Sequence, residues 1–251
     1  MQAPRDLPAP PSLRELRAAG PVALFLDFDG TLIELAPTPD AIHVPATLQT
    51  DLDDLALTLD GRLALVSGRA VENLARHLGN MTLACAGSHG IDRRRADGTP
   101  LGDVPERFPD AVVARLDSFA SKAGFALETK PHGAALHYRG RQELEARGIA
   151  FAHALADEQG LAVKRGKCVI ELTRPGADKG GAVRAFMDAD PFTGALPIFL
   201  GDDVTDEDGF AAALDLGGSA IVVGERRPTS APFALPGPAS VLEWLGLRTD
   251  G

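Results

Sequence analysis

A chain of 251 residues is long enough for one large domain, or for a core domain carrying a smaller one. With 45% hydrophobic and 24% charged residues it has the composition of a soluble globular protein, and its net charge of −10 disfavours nucleic acid and anionic membrane as partners. Nowhere do roughly 18 uninterrupted apolar residues occur, which excludes a membrane-spanning helix on length.

Residues 1–20 are rich in proline, carry mixed charges and contain no apolar stretch of signal-peptide length; a flexible tail is expected there. Val22-Ala23-Leu24-Phe25-Leu26 then reads as a strand covered on both faces, as in a parallel sheet. Directly behind it stands Asp27-Phe28-Asp29-Gly30-Thr31-Leu32. In open parallel sheets ligands gather beyond the carboxyl ends of the strands, so Asp27 and Asp29 are placed in a reactive crevice. Leu48, Leu52, Leu55 and Leu59 recur at helical spacing, giving an amphipathic helix over 46–60 that closes at Gly61. A second strand, 62–66, ends in Ser67-Gly68-Arg69, and Val71, Leu74 and Leu78 mark the next helix. A third strand, 82–86, ends in Gly87-Ser88-His89-Gly90. This alternation is the signature of a parallel winding.

From about 104 the order becomes helix, strand, strand, twice over: helix 110–123, strands 125–130 and 134–139, helix 142–159, strands 161–165 and 167–173. That texture predicts a small α+β layer with an antiparallel sheet. The α/β alternation resumes after Arg174-Pro175-Gly176, with helix 179–189, strand 196–200, helix 206–213, strand 219–223 and a last helix near 239–246. The expected organisation is a tail (1–20), a core in two parts (21–103 and 174–251) and an inserted domain (104–173). Cys85 and Cys168 both lie in apolar strand-like runs, so no disulfide framework is expected and a reducing, cytoplasmic setting is the default.

Ile198-Phe199-Leu200 runs into Gly201-Asp202-Asp203 much as Leu26 runs into Asp27. If these strands are neighbours, up to four carboxylates converge, and like charges that close need a cation. Oxygen donors with no His or Cys nearby favour a hard ion, and Mg²⁺ is the usual partner of phosphate substrates. Lys179 begins a helix, where the dipole disfavours a cation; a bound phosphate, a nearby carboxylate or a merely solvated side chain would each account for it. Ser67, at a strand-to-helix turn, suits a phosphate oxygen or ordinary N-capping. Arg69 and His89 lie beyond core strands and are expected to line the mouth of the cleft, with a structural role in a Gly-rich turn open for His89. Glu128 and Lys130 alternate onto one strand face and can point at one ligand.

Together these pieces resemble the haloacid dehalogenase superfamily of phosphatases: Asp27-Phe28-Asp29-Gly30-Thr31-Leu32, Ser67, Lys179 and Gly201-Asp202-Asp203 follow in that family's order. Gly201 to Asp208, with Ser67-Gly68-Arg69, Gly87-Ser88-His89-Gly90, His137-Tyr138-Arg139 and Gly166-Lys167-Cys168-Val169-Ile170-Glu171, look like the trehalose-phosphate phosphatases. The resemblance implies a Rossmann-like core with a parallel sheet flanked by helices and an inserted α+β cap domain. It implies Asp27 as nucleophile, Asp29 as acid and base, Ser67 and Lys179 as holders of phosphoryl oxygens, and Mg²⁺ on Asp27, the Asp29 carbonyl and Asp202. Gly30, Arg69, His89, Glu128, Lys130 and Glu171 are the expected substrate contacts. The expectation is a cytoplasmic, monomeric phosphatase acting on a small-molecule sugar phosphate, trehalose 6-phosphate first. The alternatives are a sucrose-phosphate or mannosyl-phosphate enzyme and a non-catalytic sugar-phosphate sensor.

Overall fold

The computed structural model describes residues 7–36, 41–79, 81–166, 168–225 and 228–247. The described chain begins with a helix, α1 (Leu13–Ala19), where a flexible tail was expected. Ser12 and Glu15 form a capping box that satisfies the first N–H groups, and Leu13 is buried in the core. Those two local devices order residues that composition alone assigned to a tail; residues 1–6 lie outside the described part.

The order continues as β1 (Val22–Leu26), α2 (Leu48–Thr58), β2 (Leu63–Val66), α3 (Val71–Leu78), β3 (Ala84–Gly87) and β4 (Asp92–Arg94). Then come α4 (Asp110–Ala123), β5 (Ala126–Lys130), β6 (Gly133–His137), α5 (Glu145–Gln159), β7 (Ala162–Gly166) and β8 (Val169–Thr173). The chain closes with α6 (Lys179–Met187), β9 (Leu196–Gly201), α7 (Glu207–Asp215), β10 (Ser219–Val223), β11 (Phe233–Leu235) and α8 (Pro238–Leu245). Two compact units result, one of residues 1–103 with 178–251, the other of residues 104–177.

In the first unit the strand order is β11-β10-β9-β1-β2-β3-β4, parallel throughout except for the antiparallel pair of β3 and β4. Alternate residues of each strand face opposite sides, so the sheet has two separate apolar layers. Leu24, Leu26, Leu63, Leu65, Ile198 and Leu200 pack with Leu52, Leu74 and Val241 of α2, α3 and α8. Phe25, Ala64, Val66, Phe199 and Val222 pack with Val183, Phe186 and Phe210 of α6 and α7. The edge strands β4 and β11 are each three residues long, too short and too weakly patterned to be read from the sequence.

The second unit is an antiparallel sheet of order β5-β6-β8-β7. Ala134, Leu136, Ile170 and Leu172 turn to one side and pack with Leu116 and Ala120 of α4 and Ala152 and Leu155 of α5. Alternation leaves the opposite side of the sheet to Glu128, Lys130, His137, Lys164 and Glu171.

Candidate active site

Three polar turns meet at one end of the parallel sheet because β1, β2 and β9 are neighbours running the same way. Leu26 is level with Leu65 on one side and Leu200 on the other, so Asp27, Ser67 and Asp202 leave the sheet together. The Asp27 N–H donates to the Leu200 carbonyl at 3.0 Å, and the Ser67 N–H to that of Ala86 at 2.8 Å, which prolongs both ladders into the turns. Ser67 Oγ accepts from the Arg69 N–H at 3.1 Å.

Lys179 is the first residue of α6, behind the N-cap Asp178. Only 2% exposed, it donates to Asp27 Oδ1 and to Asp206 Oδ1, each at 2.6 Å. Of the explanations open for a lysine at a helix start, nearby carboxylates are the one found. Burial alone would lower its pKa, but the charges of Asp206 and Asp27 outweigh that and hold it above its ordinary value.

Asp206 was not picked out from the sequence, although it lies in the run Gly201 to Asp208. It is fully buried; Oδ2 accepts the N–H groups of Asp202 at 3.0 Å and Asp203 at 2.8 Å while Oδ1 accepts Lys179. The legible signal was an acid four residues past Asp202 in a polar turn, the spacing that lets a carboxylate fold back on the turn's own N–H groups.

One ammonium does not balance this cluster. Burial raises the pKa of Asp27 well above its usual range, Lys179 opposes, and Asp206 and Asp202 add to the rise. Burial, followed by repulsion from Asp206 and Asp203, pushes Asp202 up to about 7. One oxygen each from Asp27, Asp202 and Asp206 lies within 4.8 Å of the others, a hard donor set that suits a divalent cation. Because both Asp206 oxygens already accept protein donors, Asp27 and Asp202 are the better ligands. Gly30 belongs to the same arrangement: at φ +79°, a Cβ there would overlap the Asp202 carboxylate. Its N–H donates to the Ile33 carbonyl at 2.8 Å, so in this structure the glycine closes the turn and leaves room for Asp202.

Arg69 makes a two-pronged pair with Asp29, Nε to Oδ2 at 2.6 Å and Nη2 to Oδ1 at 2.7 Å. Asn73 accepts Nη1 at 2.7 Å, and the Phe28 ring lies under the guanidinium at 5.8 Å. These contacts leave Arg69 9% exposed and fix the plane of the Asp29 carboxylate. His89 is likewise inside, 6% exposed. The Ser88 N–H donates to the Arg69 carbonyl at 2.7 Å and the His89 N–H to that of Ser67 at 2.9 Å, with both residues at positive φ. A Cβ on Gly68 would come within 2.7 Å of the His89 ring, so this histidine braces the Ser67 turn; the structural role left open for it is the one the geometry supports.

In the second unit, register brings Glu128, Ala135, Glu171 and Lys164 into one row across the sheet. Lys130 Nζ donates to Glu171 Oε1 at 2.6 Å, and His137 Nε2 meets Glu128 Oε2 at 2.8 Å. Burial would raise the Glu128 pKa, but the His137 hydrogen bond and the charge of Lys130 outweigh it and hold the carboxyl below its usual value. Glu128, Lys130 and Glu171 thus share one polar face with His137, which belongs to one of the quoted motifs but was given no role of its own. Lys167, part of the quoted motif, lies outside the described residues.

A buried carboxylate at a strand end, locked to a lysine and set beside a candidate cation site, is equipped for attack on phosphorus with charge neutralisation. Comparison with known proteins points the same way. A family model described as trehalose-phosphatase matches residues 25–239. The chain is 38% identical over 230 residues to the trehalose-6-phosphate phosphatase of Escherichia coli (strain K12), covering 90% of this chain and 86% of that protein. In fold it is similar to the C-terminal domain of the C. albicans trehalose-6-phosphate phosphatase, at TM-score 0.79 and 23% identity over 97% of this chain and 98% of that one. A haloacid dehalogenase-like hydrolase from B. subtilis superposes with TM-score 0.64 and 15% identity, over 89% and 98% of the two chains, so the expected capped α/β fold class is the observed one. With the matched region running from β1 to α8 and taking in each motif described above, this chain belongs to the trehalose-phosphatase family.

Proposed function

We propose that the protein hydrolyses trehalose 6-phosphate to trehalose and phosphate through an aspartyl phosphate on Asp27. The observation that carries this reading is the Asp27–Lys179–Asp206 chain of hydrogen bonds, buried at the carboxyl end of β1 and flanked by Asp202 and Ser67. An Asp27 oxygen attacks phosphorus as the bond to the sugar oxygen breaks, and Asp29 protonates that oxygen, without which an alkoxide leaves poorly. Water then attacks the phosphorus, Asp29 takes its proton, and the Asp27–phosphate bond breaks. Since Arg69 holds both Asp29 oxygens, Asp29 works by releasing one of the two guanidinium contacts to the leaving group or the water.

Lys179 lies where it can neutralise both Asp27 and the transferring phosphoryl group, and the Ser67 hydroxyl is available to a phosphoryl oxygen. Asp27, Asp202 and the Asp29 carbonyl would hold Mg²⁺, which supplies charge neutralisation for the phosphoryl oxygens when bound. We assign the second unit the role of a cap whose polar face, with Glu128, Lys130 and Glu171, exchanges hydrogen bonds with sugar hydroxyls that lose water. Every group invoked comes from one chain, consistent with a working monomer. The two cysteines are free and among the described residues no helix is long and apolar enough to cross a membrane, which is compatible with the cytoplasm.

Phosphate release from a panel of trehalose, sucrose, mannosyl and glucose phosphates, with and without a chelator, tests the reading. Release from trehalose 6-phosphate should dominate and should stop when divalent ions are removed. Preference for another sugar phosphate would move the assignment to a related capped phosphatase, and binding without release would make the protein a sensor.

A further inference from the structure

We propose that His137 is a positioning residue for sugar recognition: its imidazole fixes one oxygen of Glu128 so that the other is presented to a sugar hydroxyl. This rests on the reading that the polar face of the second unit binds the sugar. Across the β5–β6 ladder the residue directly opposite Glu128 is Ala135, which has only a methyl group to offer. His137, two residues on and level with Ala126, reaches diagonally instead, and its Nε2 lies 2.8 Å from Glu128 Oε2. The far end of β6 is tied down just beyond it, where the Tyr138 N–H donates to the Cys168 carbonyl at 3.0 Å and the buried Tyr138 ring donates its hydroxyl to Glu145 at 2.9 Å. His137 therefore acts from a fixed base.

The side chains of His137 and Glu128 are 29% and 32% exposed, so burial does not force the contact. A half-exposed glutamate otherwise samples many rotamers, and a ligand that needs it must order it first; a partner that orders it in advance removes that cost. The same arrangement recurs one strand away, where Lys130 fixes Oε1 of Glu171. Each of the two carboxylates on this face thus has a donor on a neighbouring or nearby strand. The imidazole sets which Glu128 oxygen, and in which direction, remains for the ligand.

A double-mutant cycle separates positioning from a merely structural hydrogen bond. His137→Ala, His137→Gln, Glu128→Ala and the His137→Ala/Glu128→Ala pair are compared for phosphate release from trehalose 6-phosphate and from p-nitrophenyl phosphate, which has no sugar. His137→Ala should raise KM for the sugar phosphate about fivefold more than KM for the aryl phosphate, the scale of one hydrogen bond. His137→Gln, which returns an N–H near the Nε2 position, should recover most of that difference. In the Glu128→Ala background His137→Ala should add nothing to it. Additive effects in the cycle, or equal shifts for both substrates with no recovery by glutamine, would overturn the proposal. If His137→Ala lowers the melting temperature too far to assay, the glutamine variant alone decides, since loss of sugar preference in a folded His137→Gln protein also counts against it. Failure of the unaltered protein to act on trehalose 6-phosphate overturns the substrate and leaves this inference standing, because the cycle then runs on whichever sugar phosphate of the panel is hydrolysed; failure on every sugar phosphate overturns both.

Discussion

The two units carry their charges in opposite ways. In the first, Asp27, Lys179 and Asp206 are almost wholly removed from water and joined by short hydrogen bonds at the end of a parallel sheet. In the second, Glu128 and His137 stand partly in water on the polar face of an antiparallel sheet, and the Lys130–Glu171 pair is more deeply set. Charge stripped of water is costly to hold and strong in its effect, which suits bond-breaking at one phosphorus atom. Half-hydrated charge is cheap to hold and weak in its effect, which suits the reading of hydroxyl groups. The architecture follows the same division: a doubly covered sheet can bury a charge at its strand ends, whereas a sheet covered on one side has a polar face left over.

If that contrast is right, substitutions in the first unit should have effects far larger than those in the second. The largest is expected for Asp27→Asn, which removes the nucleophile and should cut phosphate release by about a thousandfold or more with the circular dichroism spectrum retained. Next is Lys179→Met. It strands two buried carboxylates and should cost about 3–5 kcal/mol of stability, read from denaturant unfolding in chelator, along with activity.

A change of opposite sign is expected at Asp202, whose pKa is raised to about 7 against an ordinary value near 3.8. A raised carboxyl pKa means that the folded state holds its proton more tightly than the unfolded one. Its stabilising contribution is therefore complete below about pH 4 and lost as pH rises through about 7. In chelator the melting temperature should accordingly fall between pH 5 and pH 8, and Asp202→Asn should flatten that fall. Added Mg²⁺ should stabilise the unaltered protein increasingly as pH rises over the same window, and the asparagine variant little at any pH. An identical pH profile in both proteins would show that the crowding of carboxylates does not govern the site.

The smallest effect belongs to the second unit, where Lys130→Ala should raise KM for the sugar phosphate about tenfold relative to p-nitrophenyl phosphate, with kcat changed less. A loss as deep as that of Asp27→Asn would break the proposed division of labour.

How much of this was visible beforehand follows the same line. The parallel strands were legible because residues covered on both faces form unbroken apolar runs, and an acid at the end of such a run stands out, as Asp27 and Asp202 do. The elements of the second unit were legible because α4 and α5 follow apolar spacing and the short strand-like runs are broken by turn residues such as Pro131-His132-Gly133. Pairings between distant side chains were not. That Arg69 grips Asp29, that Asp206 folds back on the N–H groups of its own turn, and that His137 reaches Glu128 across a diagonal all depend on register and rotamer, which no local pattern encodes. Helix α1 was hidden for another reason: its capping box is a two-residue signal set in proline-rich surroundings.

The missing side chain at Gly30 has a wider consequence. Because the space a Cβ would take is filled by the Asp202 carboxylate, two positions far apart in the chain constrain each other as though they were adjacent. A library randomised at residue 30 alone should yield essentially one survivor. Shortening residue 202 in the same clone removes the overlap but not the cost of a side chain at positive φ, so it should readmit chiefly asparagine or aspartate, and such clones should fold while losing their response to divalent ions. Evolution of the opening motif is thus restricted by a loop that is translated long after it.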